Sequence, residues 1–302
     1  MHTGTGKYMA AVGMFDGLHA GHRFVLGELR RHAAMRGMQP MVITFANHPS
    51  DILRPDNMPQ LLMSAETKRR AISDLTGIQT VEVLQFTAEF AAMTAREFLN
   101  KLKSRGVAAL VMGFNNHIGS DRLDAKQAKN LGIIDIEELR ACPGDENASS
   151  SCLRKAVSQA DFAAAKALLG HNFTIEGSVV HGRKLGRTIG FPTANIQPHL
   201  AERQLLPPDG VYAADVMLKG ENRTHRAIVN IGHRPTVDHS DTPARTIEAH
   251  ILDFSGDIYG CGISLTFLSA LRAEQRFPSL EALRTQLTAD AEAARHIQAS
   301  DK

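Results

Sequence analysis

Residues 181–195 read HGRKLGRTIGFPTAN, a run whose residue types together suit a polyphosphate. His181, Arg183, Lys184 and Arg187 concentrate positive charge, while Gly182 and Gly186 let the backbone approach a ligand closely. Thr193 and Asn195 follow, two residues apart, so on an extended strand both oxygens lie on one side. A cationic loop next to neutral oxygen donors is the mixture that phosphate plus a hard cation such as Mg²⁺ requires. Glu248 opens the string EAHILDFSGDIYG. On a strand, Glu248 and His250 share one face and Ala249 and Ile251 the other. A nucleotide cradle, a cation and a base aimed at a hydroxyl are what phosphoryl transfer to a small alcohol needs.

A second phosphate-type signal lies in residues 13–22, GMFDGLHAGH. It follows a strand-like run and opens a helix-like one. His19 and His22 are three apart, which puts both imidazoles on one helical face. Two donors at a helix N-terminus can stabilise charge on a phosphate under attack. Gly21 leaves room for a nucleotide between them, and Gly13, Phe15 and Asp16 complete the expected nucleotide-binding turn. No third ligand stands at zinc-site spacing. The string Gly4-Thr5-Gly6-Lys7 is not a Walker loop, because Tyr8 follows the lysine and no strand precedes it; a disordered start is expected there.

The elements that must carry these residues alternate in the first half. Strands are expected near residues 9–14, 41–45, 81–84, 110–112 and 133–136. Helices are expected at 22–36, from a cap at Ser64 through 76, and at 95–105 and 124–131. Such alternation predicts a parallel sheet with helices on both faces. An alanine-rich helix is expected over 151–168. Beyond it, short strands at 175–180, 212–218, 226–231, 245–252 and 264–271 are separated by turn residues, which predicts an antiparallel barrel. Residues 280–294 predict a closing helix capped by Ser279. The fold class is therefore α/β plus all-β: a Rossmann-like domain over 1–169, then a small antiparallel β-barrel domain with a C-terminal helix over 170–302.

A chain of 302 residues with 43% hydrophobic content supports two such cores. A formal net charge of +2 is too small for a nucleic-acid coat or a membrane-surface protein. Aromatics are only 5%, without the basic and aromatic interleaving of an oligonucleotide-binding barrel. Cys142, Cys152 and Cys261 are odd in number and widely spaced, so free thiols in a reducing cytoplasm are expected. No signal pattern or transmembrane-length apolar run stands in the sequence. Nothing in the residues sets an oligomeric state.

HAGH at residues 19–22 resembles the His-x-Gly-His signature of nucleotidyltransferases that transfer AMP from ATP. With TFANHP at 44–49 and SSSCLR at 149–154, nearly the whole chain resembles the bacterial bifunctional riboflavin kinase/FAD synthetase family. The resemblance implies a serine-rich loop, Ser149, Ser150 and Ser151, closing over the triphosphate, with Arg154 binding phosphate. Asn115, in GFNNHIG, matches the family's usual Asp or Asn. Thr193 and Asn195 match a Pro-Thr-Ala-Asn motif that holds Mg²⁺ and nucleotide phosphates. Glu248 matches the glutamate that activates the ribityl 5′-hydroxyl. Arg272 lies near where the family completes its flavin pocket, and NIGHRPT, residues 230–236, matches a further family string. Asn47, Asn116, Ile118 and Ser151 depart from the usual pattern; aromatic residues are common where Asn116 and Ile118 stand.

The implied activity is ATP-dependent phosphorylation of riboflavin to FMN, then adenylylation of FMN to FAD with release of pyrophosphate. Mg²⁺ is the implied cofactor; riboflavin, FMN and ATP are the partners, without nucleic acid or membrane. FMN phosphate would attack the α-phosphorus directly, with His19, His22 and Arg154 stabilising the transition state. Two alternatives stay open: a riboflavin kinase whose adenylyltransferase is weak or altered, and a non-catalytic flavin or nucleotide-binding module.

Overall fold

The computed structural model describes residues 7–113, 115–140, 149–182, 186, 189–233 and 245–297. The chain divides into two compact units, Met1–Ser150 and Ser151–Lys302.

In the first unit five strands form one parallel sheet: β1 (Tyr8–Val12), β2 (Gln39–Phe45), β3 (Thr80–Leu84), β4 (Val107–Gly113) and β5 (Asp135–Leu139). Their order is β3-β2-β1-β4-β5, with every pairing parallel. The helices are α1 (Ala20–Met35), α2 (Ser50–Leu53), α3 (Ala65–Thr76), α4 (Ala88–Ala92), α5 (Ala95–Ser104) and α6 (Ala125–Asn130). Both sheet faces are covered, as a parallel sheet requires. Met9 and Ala11 of β1 turn to a core shared with Leu26, Leu29 and Ile72, whereas Ala10 turns to one shared with Phe98, Leu99 and Leu102. Local chemistry starts and stops these helices. Ser64 accepts from the Thr67 amide, and Gly77 at φ 72° ends α3 in the left-handed conformation. Thr94 with Glu97, and Asp124 with Gln127, form reciprocal capping boxes.

Strand order reverses in this sheet between β1 and β4: β2 and β3 are added outward on one side of β1, and β4 and β5 lie on the other, all parallel. In open α/β sheets that switch point, at the carboxyl ends of the strands, is where ligands bind. The turn after β1 and the loop after β4 both begin there.

The expected single helix over 151–168 is two helices, α7 (Ser150–Ser158) and α8 (Phe162–Leu169). Ala160 takes a φ of 53° between them, and Asp161 caps α8 through the Ala164 amide. The break turns Phe162 onto Phe267 and Tyr212, with ring centroids 5.5 and 5.8 Å away.

The second unit is a closed antiparallel barrel of β6 (Thr174–Val180), β7 (Ala194–Pro198), β8 (Gly210–Leu218), β9 (Thr224–His233), β10 (Arg245–Ile251) and β11 (Gly262–Ala273). The strand order is β10-β7-β6-β11-β8-β9. A final helix, α9 (Leu280–His296), is capped by Ser279 as expected. Its Ala291 and Ala294 pack with Val211, Ala213 and Ile228 of the barrel wall.

The Gly4-Thr5-Gly6 start, Phe114, Cys142 and the end of the NIGHRPT string lie outside the described residues, as do Arg183, Lys184 and Arg187.

Candidate functional sites

The first site grows out of the turn between β1 and α1. Phe15, Gly17 and Leu18 adopt φ values of 48°, 82° and 44°. Two of the three carry side chains in the left-handed region, so the turn holds strain that its surroundings must over-determine. Asp16 is 1% exposed, and its carboxylate accepts from the amides of Leu62 and Met63 at 3.1 Å each. The Met14 carbonyl accepts from Thr44 Oγ1 at 3.0 Å and Lys68 Nζ at 2.9 Å. Ser150 Oγ donates to the Asp16 carbonyl at 3.2 Å. A Cβ on Gly13 would meet the Phe15 ring at 3.0 Å, so the glycine lets that ring close over the strand end.

This turn delivers His19 as the N-cap of α1, with His22 in the first helical turn. The two imidazoles stack with centroids 3.7 Å apart and planes 24° off parallel; Phe15 meets His22 edge-on at 5.3 Å. No acidic residue occupies the first turn of α1, at the positive end of the helix dipole. Gly21 lies between the histidines. The arrangement is a donor-rich cradle at a helix N-terminus, suited to an anion.

Beside it a cavity of about 580 Å³ opens at the switch point, lined by both strand ends and by Phe45, Phe86, Phe90, Asn116 and Ile118. Phe45, Phe86 and Phe90 meet with all three centroid distances at 5.3 Å. These phenylalanines, absent from the sequence assignment, provide an aromatic wall independent of positions 116 and 118. Phe86 and Phe90, four apart, were the available signal. Asn47 fixes this wall: its amide donates to the Phe86 carbonyl at 2.9 Å and accepts from the Phe86 amide at 2.8 Å. Asn115 is exposed at the cavity's loop, with its carbonyl 3.1 Å from His117 Nδ1.

The structure thus gathers Gly13, Phe15, Asp16, His19, Gly21, His22 and Ser150 within the first unit. Ser149 precedes α7 and is half-buried; Ser151 is exposed, and Arg154 is partly buried on α7 in the second unit.

The second site lies on the barrel wall. Thr193 Oγ1 donates to Glu248 Oε2 at 3.2 Å. Asn195 pairs with Glu248 across β7 and β10, and Glu248 pairs with Asn230 across β10 and β9. Residues directly opposite one another share a face, so Asn195, Glu248 and Asn230 form one polar row. Ile247, Ala249 and Ile251 are buried on the other face, as the alternation requires. Asn230 lies in the strand expected at 226–231, and an asparagine on one strand carries no local signal of the cross-strand row it joins. A Cβ on Gly182 would lie 2.1 Å from Asn195 Nδ2, so any larger residue where the loop leaves β6 would displace the Asn195 amide. Gly186 is equally constrained, its Cβ position being 2.2 Å from the Phe191 carbonyl. His250 Nδ1 lies 2.8 Å from the Pro192 carbonyl, bracing the residue before Thr193. A cavity of about 390 Å³ adjoins, lined by Val179, Thr193, Ala194, Phe254 and Tyr259. The Tyr259 ring lies 4.0 Å from that of His181.

Hydroxyl and amide oxygens from Thr193 and Asn195, beside the Glu248 carboxylate, suit Mg²⁺, which takes few protein ligands and keeps phosphate and water oxygens. Arg272 is held by α9: its Nη2 meets Asp290 at 2.9 Å, Nε donates to the same carboxylate at 3.0 Å, and the guanidinium lies over Phe277 at 5.5 Å.

Two family models match the chain: FAD synthetase over residues 2–150 and riboflavin kinase over 169–298. A bifunctional riboflavin kinase/FMN adenylyltransferase of Pseudomonas fluorescens is 37% identical, over 96% of this chain and 93% of that protein. The chain belongs to this bifunctional family. A Bacillus subtilis member is 33% identical over 95% of this chain and 92% of its own length. A solved protein of Streptococcus pneumoniae, described as a macrolide-efflux protein, is 30% identical with a TM-score of 0.84, covering 97% of this chain and 95% of that one. Among the described residues, no helix is long and apolar enough to cross a membrane. Each site lies inside one match: the stacked histidines within the first, the Thr–Asn–Glu cluster within the second.

Proposed function

We propose that the barrel transfers the γ-phosphoryl group of ATP to the 5′-hydroxyl of riboflavin, giving FMN, and that the first unit joins AMP from a second ATP to FMN. The second step releases pyrophosphate and yields FAD. What carries the reading is that each family match contains its own polar site, built on separate elements. The aromatic wall of the first cavity supports a working adenylyltransferase over the weakened one, because its three rings stand independently of Asn116 and Ile118.

In the barrel, Glu248 accepts the proton of the ribityl hydroxyl as its oxygen attacks phosphorus. The bond from Thr193 keeps that carboxylate oriented. Thr193 and Asn195 would hold Mg²⁺, which neutralises phosphate charge when bound. Lys184 and Arg187, outside the described residues, are assigned to the ATP phosphates. In the first unit the FMN phosphate displaces pyrophosphate, and His19 and His22 donate toward the charge that develops on the phosphoryl oxygens. No protein nucleophile is required. The phenylalanine-lined cavity takes an apolar ring system, in keeping with a flavin.

The test is a time course of purified protein with riboflavin, ATP and Mg²⁺, separated by chromatography. FMN is expected first and FAD after it. FMN accumulating without FAD, also when FMN is supplied directly, would leave a kinase alone. No turnover with tight flavin binding would leave a binding module.

A further inference from the structure

Lys68 is a fully buried cation that none of the steps above uses. It is 0% exposed and lies in the first turn of α3. Its Nζ donates to the Met14 carbonyl at 2.9 Å and to the Phe45 carbonyl at 2.7 Å. Met14 begins the strained turn after β1; Phe45 ends β2 and faces the aromatic cavity. One side chain therefore ties together the carboxyl ends of two neighbouring strands, on which both halves of the first site stand. Thr44 Oγ1 reinforces the same Met14 carbonyl at 3.0 Å. From its other side the turn is held by Asp16, through the amides of Leu62 and Met63.

Placing an ammonium in the interior is expensive, and an apolar side chain of similar length would avoid the expense. Phe15 and Leu18 are held in the left-handed region, which disfavours residues with side chains, so the turn does not hold itself. Immediately after it come His19 and His22, whose ring stacking leaves little tolerance for a shift of the helix start.

We propose that Lys68 is a positioning residue for adenylyl transfer: by clamping the Met14 and Phe45 carbonyls it holds the strained turn that sets His19 and His22 against the reacting phosphate. This rests on the reading of that turn as the adenylyl-transfer site. Lys68 touches no substrate; it acts through the backbone it holds.

Two variants of the full chain test this, Lys68→Met and Thr44→Val. Each is assayed for FAD formation from FMN and for FMN formation from riboflavin. Displacement of a catalytic group by about 1 Å costs about 10²-fold in rate. Lys68→Met is therefore expected to lower kcat for FAD formation by about 10²-fold, with KM for FMN within about threefold of wild type. FMN formation in the barrel should be unchanged, which reports an intact second unit. Thr44→Val deletes one bond to the same carbonyl while keeping the side-chain shape. It should lower kcat in the same direction by about three- to tenfold and leave the unfolding temperature nearly unaltered. A merely structural role would show instead as a smaller folded fraction with wild-type kcat per folded molecule, and would overturn the proposal. So would wild-type kcat in both variants, or in Thr44→Val alone where Lys68→Met does not fold. Wild-type protein that forms no FAD from FMN and ATP would instead bring down the reading of the site itself.

Discussion

Two imidazoles stacked 3.7 Å apart leave little freedom to either ring. The sequence spacing predicted one shared helical face, but His19 is the N-cap, with φ −59° and ψ 171°, so the turn after β1 rather than helical periodicity sets its ring against His22. Lys68 offers no such signal. It sits among Thr67, Arg69 and Arg70 and looks like one more cation on a solvated helix face; only the fold buries it. Burial pushes its pKa down from 10.5 to about 8, partly opposed by the charge of nearby Asp16. The unfolded chain would keep this proton up to its ordinary value of 10.5, whereas the folded protein releases it near 8. Between those values the unfolded state binds more protons, so this residue makes stability rise with pH. Measured against Lys68→Met, wild-type stability of the first unit should therefore increase from pH 8 toward 10, and the difference should be flat below pH 7. A neutral amine still has two N–H groups, one for each carbonyl, so the clamp outlasts its charge.

Among elements, periodicity recovered most strands and helices but not where they end against their neighbours. The strand expected at 133–136 is Asp135–Leu139, because its pairing with Ala109–Gly113 of β4 decides which residues extend. The alanine-rich run broke into two helices because Phe162 must reach Phe267 and Tyr212, a contact more than a hundred residues away along the chain for Phe267. The final helix shows a further long-range dependence. Arg226 of β9 donates to the carbonyls of Ala294 and Ile297 and pairs with Asp215 at 2.8 Å, closing the end of α9 with a charge from the barrel wall. Those terminal carbonyls have no partners within the helix itself. Arg226→Met should destabilise the second unit by about 2 kcal/mol in denaturant unfolding. Amides of α9 should then lose hydrogen-exchange protection before those of the barrel strands.

For the molecule as a whole, the consequence of two sites on two units is separable chemistry. His22→Ala should reduce FAD formation from FMN by at least about 10²-fold and leave FMN formation intact. Glu248→Gln should reduce FMN formation by about 10²- to 10⁴-fold and leave FAD formation from supplied FMN intact. Mixed in one tube, the two variants should again convert riboflavin to FAD, with FMN passing through solution. A mixture that makes FMN but no FAD, while each partner retains its single activity, would mean that FMN does not leave the chain that makes it.

The residue types that do chemistry, their local spacing and the alternation of elements could all be read along the chain. Helical and strand periodicity places neighbours a few residues apart without help from the rest of the protein. Asn195, Glu248 and Asn230 became one row only when three strands found their register. Phe45, Phe86 and Phe90 became one wall, and Lys68 became an interior clamp, only when the sheet and its helices closed. Burial and long-range pairing depend on which distant segments pack together, and local pattern carries no record of that.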